Sequence, residues 1–580
     1  MQCKKIRARA GTILLYGLLF VVFVAPLLRL LLMSLAGPGG YGMSNFILLF
    51  QDKHTLDAIG NTLLIAVAST VMAAGIGSTL ALIVAYTNIK RKRLIEMLIL
   101  MPFIIPSYII TLSWSGLFSQ RGMLNQFLES CGAGPVNIYS TVGILLVIGI
   151  CNVPIVYLSV IHMLRRIPAD MEWAARACGF GVWQTLRKVD LAEARPAILS
   201  GSLLSFLAAV DNFSVPAFLG ISSHIPVLST YIYEKAISFG PDAFPMAAAL
   251  SVILSGMAAA GTLLEGCLLK KGDALESIKE DHSVRIPLSM RCRRLLEWGL
   301  ITILGLIDIV PLVSMTASAF LKNYGLAITS ANLSLKNFAF VCTNAGVLSA
   351  VRNSLMLAVV TCAACILIGT AMAYMKVRRH SRVTAVAEKC ASLTYAIPGI
   401  VLSLAMIFHW AEPLPGVHPG IYGTIHILII AYITRYLILQ IKGSTTALLA
   451  VNPELEDAVR ASGRGPRVLW QKILIPLLVQ PVLAGSFLIF VSALTELTLS
   501  SMLASAGTKT IGLTIFNFQQ AGDYSLSAAM SAIIVILVLG GYGMTRFTSG
   551  QKEGETENEP VSRTHRKKSL ARHGHSRTLI

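Results

Sequence analysis

Glu172-Trp173-Ala174-Ala175-Arg176-Ala177-Cys178-Gly179 is repeated 284 residues later as Glu456-Asp457-Ala458-Val459-Arg460-Ala461-Ser462-Gly463. Glu, Ala, Arg, Ala and Gly keep the same relative places in both copies. Each copy lies between long apolar runs. A polar motif duplicated on one side of a membrane predicts two equivalent docking sites for a soluble partner. The chain is therefore expected to be two like halves.

Composition agrees. The 580 residues are 55% hydrophobic and only 13% charged, with a mean hydropathy of +0.70. Soluble domains carry roughly 25% charged residues. Apolar runs of about 20 residues suffice to cross a hydrocarbon core of about 30 Å. Twelve are present, near 11–35, 59–87, 95–118, 140–164, 196–220, 243–269, 296–320, 353–375, 385–410, 421–441, 477–504 and 525–547. They are continuously apolar, without the alternation of a membrane β-barrel. The expected fold class is all-α integral membrane: twelve transmembrane helices as two parallel six-helix repeats.

The net charge of +19 invites a nucleic-acid reading, but its distribution rejects it. Basic residues cluster at Lys4–Arg9, Lys90–Arg93, Arg165/Arg166, Lys270–Arg294, Lys376–Arg382, Arg460–Lys472 and Arg563–Arg577, all on one side of alternating spans. The opposite loops hold only Lys53, Arg121, Lys235, Lys322, Lys336, Arg352 and Lys509. This positive-inside bias predicts a multi-pass protein of the cytoplasmic (inner) cell membrane with both termini cytoplasmic. No nucleic-acid partner is expected, and the lipid bilayer is. The first apolar run is too long for a signal-peptide core and reads as an uncleaved span. The ten cysteines form no secreted framework. Cys362 and Cys365 lie inside a span as structural thiols, whereas Cys131 and Cys342, in outer loops, have the option of pairing.

The repeat extends beyond the loops. Asn61, Ile76-Gly77-Ser78 and Ile105-Pro106 match Asn353, Ile368-Gly369-Thr370 and Ile397-Pro398 at a spacing of 292 residues. Gly201-Ser202 and Phe206 match Gly485-Ser486 and Phe490 at 284. Six spans per copy return the chain to the same face, which makes the repeats parallel. The expected division is a first transmembrane helix and outer loop (1–58), a first repeat domain (59–269) and a linker (270–295). A seventh helix and outer loop (296–350), a second domain (351–548) and a disordered tail (549–580) follow. Pro106 and Pro398, at matched places, are candidates for shaping a central cavity, because kinks free carbonyls that neighbours or water must satisfy.

Each duplicated loop has a local logic. In the first, Pro168 and the acids Asp170 and Glu172 open a short helix, and Gly179 ends it in a left-handed turn. A second short helix follows through Trp183 and Leu186. Pro453, Glu454, Glu456, Gly463, Trp470 and Leu474 repeat the scheme. Small Ala174, Ala175, Ala177, Ala458 and Ala461 permit close approach of another backbone.

The pattern Glu-Ala-Ala, three residues, Gly, nine residues, Ile-x-Leu-Pro resembles the signature of membrane permeases of binding-protein-dependent ABC importers. The second copy runs on to Ile473-Leu474-Ile475-Pro476, whereas the first reads Val189-Asp190-Leu191-Ala192 and lacks the proline. The second copy also has Val459 where the first has the second alanine. The resemblance covers nearly the whole chain as two fused type I permease domains. It implies that each loop is a coupling helix seated on an ATP-hydrolysing subunit. The coupling residues would be Glu172, Ala174, Ala175, Gly179, Glu456, Ala458, Gly463 and Pro476, with the glutamates anchoring the loop to a basic residue of the ATPase. The chain has no G-x-x-x-x-G-K-[ST] phosphate loop, so the ATPase is expected to be a separate chain and this one not an enzyme.

Acids inside membrane helices mark pathways or pairs. Asp211-Asn212 and Glu496 fall in the fifth and eleventh spans and are candidates, with Pro106 and Pro398, for the translocation pathway. As free carboxylates they would favour a cation-tolerant route. Asp308 and Arg435 read as structural, and His162, His409 and His426 as packing residues without metal-ligand spacing. The fused halves, Asp211-Asn212-Phe213-Ser214-Val215-Pro216-Ala217-Phe218-Leu219-Gly220 and Glu496-Leu497-Thr498-Leu499 look like the ferric-iron branch of the family. That branch implies an extracytoplasmic ferric-binding protein and an ATPase homodimer, with no resident cofactor or metal. Thiamine, 2-aminoethylphosphonate, polyamine and sulfate are alternative cargoes. An ion-gradient-driven secondary transporter is the alternative class, and it needs no paired docking loops. A membrane enzyme would need a convergent acid, base or metal set that the sequence lacks.

Overall fold

A computed structural model describes residues 15–37, 40–119, 122–238, 240, 242–268, 280–326, 329–411 and 420–557. The basic clusters Lys4–Arg9 and Arg563–Arg577, Arg121 and the first ten residues of the expected linker lie outside the described residues. Met1–Ile533 forms one compact unit and Ile534–Ile580 another.

Among the described residues nine helices are long and apolar enough to cross a membrane, eleven if two sharply bent pairs count as single spans. In the first half these are Leu15–Leu35 (α1), Lys53–Tyr86 (α2), the bent pair Lys92–Ile104 (α3) and Ser107–Leu117 (α4), Thr141–Arg166 (α5) and, after a loop helix Ala169–Ala177 (α6), the run leading to Ala243–Leu268 (α9). The expected span 196–220 is interrupted. It is a helix Leu191–Asp211 (α7), a break, and a short helix Ser214–Leu219 (α8). The second half holds Met290–Ala319 (α10), Ala345–Arg379 (α11), the bent pair Arg382–Ala396 (α12) and Gly399–Ala411 (α13), and Ile425–Leu449 (α14). The loop helix Glu454–Ala461 (α15), Ile475–Leu494 (α16), Thr498–Leu503 (α17) and Tyr524–Glu557 (α18) complete it. The kinks expected at Pro106 and Pro398 are present as sharp bends, whereas the break at Asn212 carries no proline and was not expected. α18 is helical to Glu557, into the stretch read from sequence as a disordered tail, and the rest of that tail lies outside the described residues.

The repeat is visible in the way elements begin and bend. Asp52 caps α2 by accepting from His54 N and Thr55 N, each at 3.2 Å. Asn344, 292 residues on, caps α11 from Gly346 N and Val347 N at 2.9 and 3.1 Å. Ile105 and Ile397 are extended, as residues before proline prefer to be, and the chain turns there by 100° and 113°. The matched glycines Gly77 and Gly369 are crossing points. A Cβ on Gly77 would stand 2.9 Å from the Val153 carbonyl of α5, and one on Gly369 would stand 2.8 Å from Gln440 of α14. Only small residues let membrane helices approach so closely.

The first span of each half reaches the other half, although α1 packs as closely on α9 of its own half. α1 lies along α13, with Arg29 Nη1 donating to the Phe408 carbonyl at 3.1 Å, and α10 lies along α3 and α4. This exchange weaves the halves together. Sequence periodicity carries no signal for it.

Candidate coupling loops and the bundle centre

Both short loop helices form. α6 follows Pro168 and α15 follows Pro453, and Gly179 (φ 89°) and Gly463 (φ 71°) end them in the left-handed region. Behind each turn stand a four-residue helix, Val182–Thr185 or Pro466–Leu469, and a π-helical turn, Leu186–Asp190 or Trp470–Leu474. These turns coincide at the 284-residue spacing and merge into α7 and α16. Pro476 stands exposed where the π-helical turn passes into α16.

The glutamates face inward, contrary to the expectation that they reach an ATPase. Glu172 and Glu456 are only 3% and 2% exposed. Glu456 accepts from Arg378 Nε at 2.6 Å, and Arg378 Nη2 also donates to the carbonyls of Val451 at 2.8 Å and Leu448 at 3.3 Å. Glu172 accepts from Arg285 Nη1 and lies 3.4 Å from Arg176. A carboxylate this buried needs a charged partner within the fold, since several kcal/mol of desolvation must be offset. The helix position that buries each glutamate turns its neighbours outward. Trp173, Ala174, Ala177 and Gly179 are exposed in the first loop, with Ala175 half-buried, and Leu455, Ala458, Ala461 and Gly463 are exposed in the second. The surfaces differ: Trp173 and Trp183, 71% and 80% exposed, correspond to exposed Asp457 and Arg467.

Sequence reading missed Arg378, Arg285 and Asp190. The two arginines counted only as members of topology-setting basic clusters, and Asp190 only as part of the first copy's departure from Ile-x-Leu-Pro. Tyr86 and Arg378 do align at the 292-residue spacing, and that difference was the available signal. Burial, and then the neighbouring Glu172 charge, push the Asp190 carboxyl up to about 7. Its hydrogen bond from Tyr86 Oη, at 3.1 Å, works in the other direction.

In the bundle centre Asp211 and Glu496 are engaged rather than free. Asp211, at the end of α7, accepts from Gly399 N at 2.6 Å and from Arg435 Nη2 of α14, so it bridges the halves at the Pro398 bend. Arg435 Nη1 donates to the Ile397 carbonyl at 2.6 Å, and its guanidinium lies 5.5 Å over the Tyr395 ring. Glu496 accepts from Tyr436 Oη and, at 2.9 Å, from Leu499 N. Asn212 accepts from Val215 N at 2.9 Å. The two acids are one position apart at the 284-residue spacing, which makes Asn212 the counterpart of Glu496, and each accepts from the backbone N–H three residues on, in the short helix after a break. Asp211 is balanced by Arg435, which removes the argument for a cation-tolerant route.

A cavity of about 860 Å³ is lined by Ser115, Tyr139, Phe218, Tyr324, Gln519 and Tyr524 among others, and its described lining carries no charged side chain. Phe218 also stacks on Tyr108 at a centroid distance of 6.1 Å, beneath this hydroxyl- and amide-rich wall. Among the described residues no cluster of three or more His, Cys, Asp or Glu could hold a metal ion. Cys131 and Cys342 are both exposed free thiols.

The family model described as "Binding-protein-dependent transport system inner membrane component" matches twice, over residues 77–265 and 365–548. A Fe(3+)-transport system permease protein of Haemophilus influenzae is 21% identical over 85% of this chain and 90% of its own length. A probable ABC transporter permease of Sinorhizobium fredii is 21% identical over 91% and 93% respectively. A putative 2-aminoethylphosphonate transport system permease of Salmonella typhimurium is 28% identical over 38% of this chain and 78% of its own length. With both halves matched by one family and the paired loops in place, the chain belongs to the inner membrane components of binding-protein-dependent transport systems, as an ABC-importer permease with its two type I domains fused.

Proposed function

We propose that this permease admits ferric iron, delivered by an extracytoplasmic binding protein, and is driven by two copies of one ATPase docked on the paired loops. The duplicated loop carries the ATPase reading. Two matched short helices each bury a glutamate and present small residues and a glycine turn outward, as two similar sockets require. The basic face, with both loops and both termini, is the cytoplasmic one. In this arrangement Glu172 and Glu456 shape the docking surface from within, while Ala174, Ala177 and Gly179, with Ala458, Ala461 and Gly463, meet the ATPase. Ala175 and Pro476 support them.

The ferric assignment is supported by a relative named for ferric transport that aligns along both halves of this chain, the fused architecture included; shorter relatives named for 2-aminoethylphosphonate and sulfate align over 78% and 69% of their own lengths. Iron is cargo here, held by the binding protein. Asp211, Asn212, Glu496, Pro106 and Pro398 act as the hinge and clamp around the route.

The test is uptake by liposomes holding the chain with its ATPase, and with binding protein outside. ATP-dependent entry of radiolabelled ferric iron, undiminished by excess sulfate, thiamine, polyamine or 2-aminoethylphosphonate, is expected. Uptake driven by an ion gradient without ATP overturns the mechanism, and competition by one of those solutes overturns the cargo.

A further inference from the structure

The two loop sites solve one electrostatic problem with arginines from different places. In the second half Arg378 sits at the end of α11, inside its own six-helix unit, and holds Glu456 and the Val451 carbonyl. The residue 292 positions earlier is Tyr86, which cannot carry a positive charge. Yet Glu172 is as buried as Glu456. Its guanidinium comes from Arg285, 113 residues away, in the segment that joins the halves. Arg285 Nη2 donates to the Ile167 carbonyl, the counterpart of Val451 at the 284-residue spacing, and its guanidinium lies 4.4 Å over the Tyr86 ring.

The backbone around Arg285 is fastened as well. Arg285 N and Ile286 N both donate to the Tyr86 carbonyl at 3.0 Å. Asn88 and Leu288 exchange two hydrogen bonds of 3.1 Å. Asp281 receives Ala169 N, at the start of α6, at 3.0 Å, and Asp281 N reaches the Arg165 carbonyl at 2.7 Å. The first site also holds an acid that the second lacks: Asp190, where Leu474 stands in the other half, lies 3.5 Å from Arg285. One linker arginine thus faces two buried carboxylates.

We propose that Arg285 is the positioning residue of the first coupling loop, and that segment 281–288 is a strap through which the linker between the halves holds that loop in its docking shape. The strap makes the loops unequal. The second is set by its own six helices, whereas the first keeps its shape only while the inter-half linker is seated. Loop movement in the first half must therefore carry the linker, and through it the start of α10, which packs on α3 and α4. The effect on transport rests on the docking function proposed above; the strap itself does not.

The experiment separates the two. Hydrogen exchange is measured on the purified full chain in detergent, without partners, for wild type, Arg285→Ala and Tyr86→Arg/Arg285→Ala. Removing one member of a buried pair strands the other, so Arg285→Ala is expected to speed exchange across 169–177 by at least about 100-fold. Exchange across 454–461 should stay unchanged. Tyr86→Arg/Arg285→Ala places a guanidinium where Arg378 stands in the other half and is expected to restore most of the protection. Unchanged exchange in Arg285→Ala, equal acceleration in both loops, or no recovery in the double variant would overturn the strap. The same variants are then assembled with the ATPase, and ATP hydrolysed per solute imported is measured. Arg285→Ala should raise that ratio about tenfold and the double variant return it. If exchange responds while ATPase retention and the ratio do not, the strap stands and the docking function of this loop falls.

Discussion

Replacing Asp211 with alanine tests whether this acid clamps the halves or offers a cation site. Asp211 is the only carboxylate among the described residues within ion-pair distance of Arg435, whose side chain is 11% exposed against 35% for Asp211. In Asp211→Ala the guanidinium keeps the Ile397 carbonyl and the Tyr395 ring, and loses its counter-charge where it cannot shed a proton. Breaking such a pair from the carboxylate side should cost about 3–5 kcal/mol. Arg435→Met is milder, about 1–3 kcal/mol, because the more exposed Asp211 still caps Gly399 N and can take up water. The variant Asp211→Ala/Arg435→Met removes both charges, so it should recover to within about 1 kcal/mol of wild type. Equilibrium unfolding in mixed micelles gives these values as a double-mutant cycle. Stability unaltered in Asp211→Ala, or losses that simply add in the double variant, would refute the clamp. A clamp also predicts that Asp211→Ala/Arg435→Met retains transport with unchanged cation competition.

Three further outcomes follow from the loops. Glu456→Ala should open 454–461 to hydrogen exchange by about 100-fold or more, because Arg378 is left buried and unpaired, while Glu456→Ala/Arg378→Met recovers most protection; equal exchange in the two variants would contradict this. Gly463→Ala forces a side chain into φ 71°, a cost of about 1–2 kcal/mol that should appear as weaker retention of the ATPase on co-purification, with Ser462→Ala as the neutral neighbour. The third concerns pH. Asp190 binds its proton more tightly folded than unfolded, so its contribution is most favourable below about 4 and is lost as pH rises to about 7. Exchange across 169–177 should therefore be faster at pH 8 than the intrinsic chemistry predicts from pH 6, and Asp190→Asn should remove that excess. An excess that persists in Asp190→Asn would assign it to another group.

Much of this protein was legible because its signals are local or repeated. Gly179 and Gly463 announce the turns, since a chain that ends a helix in the left-handed region favours glycine. Pro106 and Pro398 announce breaks because proline denies a donor and restricts the residue before it. What failed was the direction of Glu172 and Glu456. Helical position fixes which neighbours share a face, but which face is buried depends on elements packed from elsewhere. Acids in a membrane span read as free until a partner is found. Asp211 found Arg435, 224 residues away.

The chain by itself determines a duplicated, membrane-spanning bundle with two outward-turned loops, because apolar length, charge asymmetry and repeated motifs are properties of contiguous residues. Only the tertiary structure decides that the first span of each half reaches the other half, that Asp211 pairs with Arg435, and that an arginine from the linker completes one loop while a helix-borne arginine completes the other. Those are pairings across 78 to 224 residues, settled by which buried charge can reach which. No pattern along the sequence records that distance.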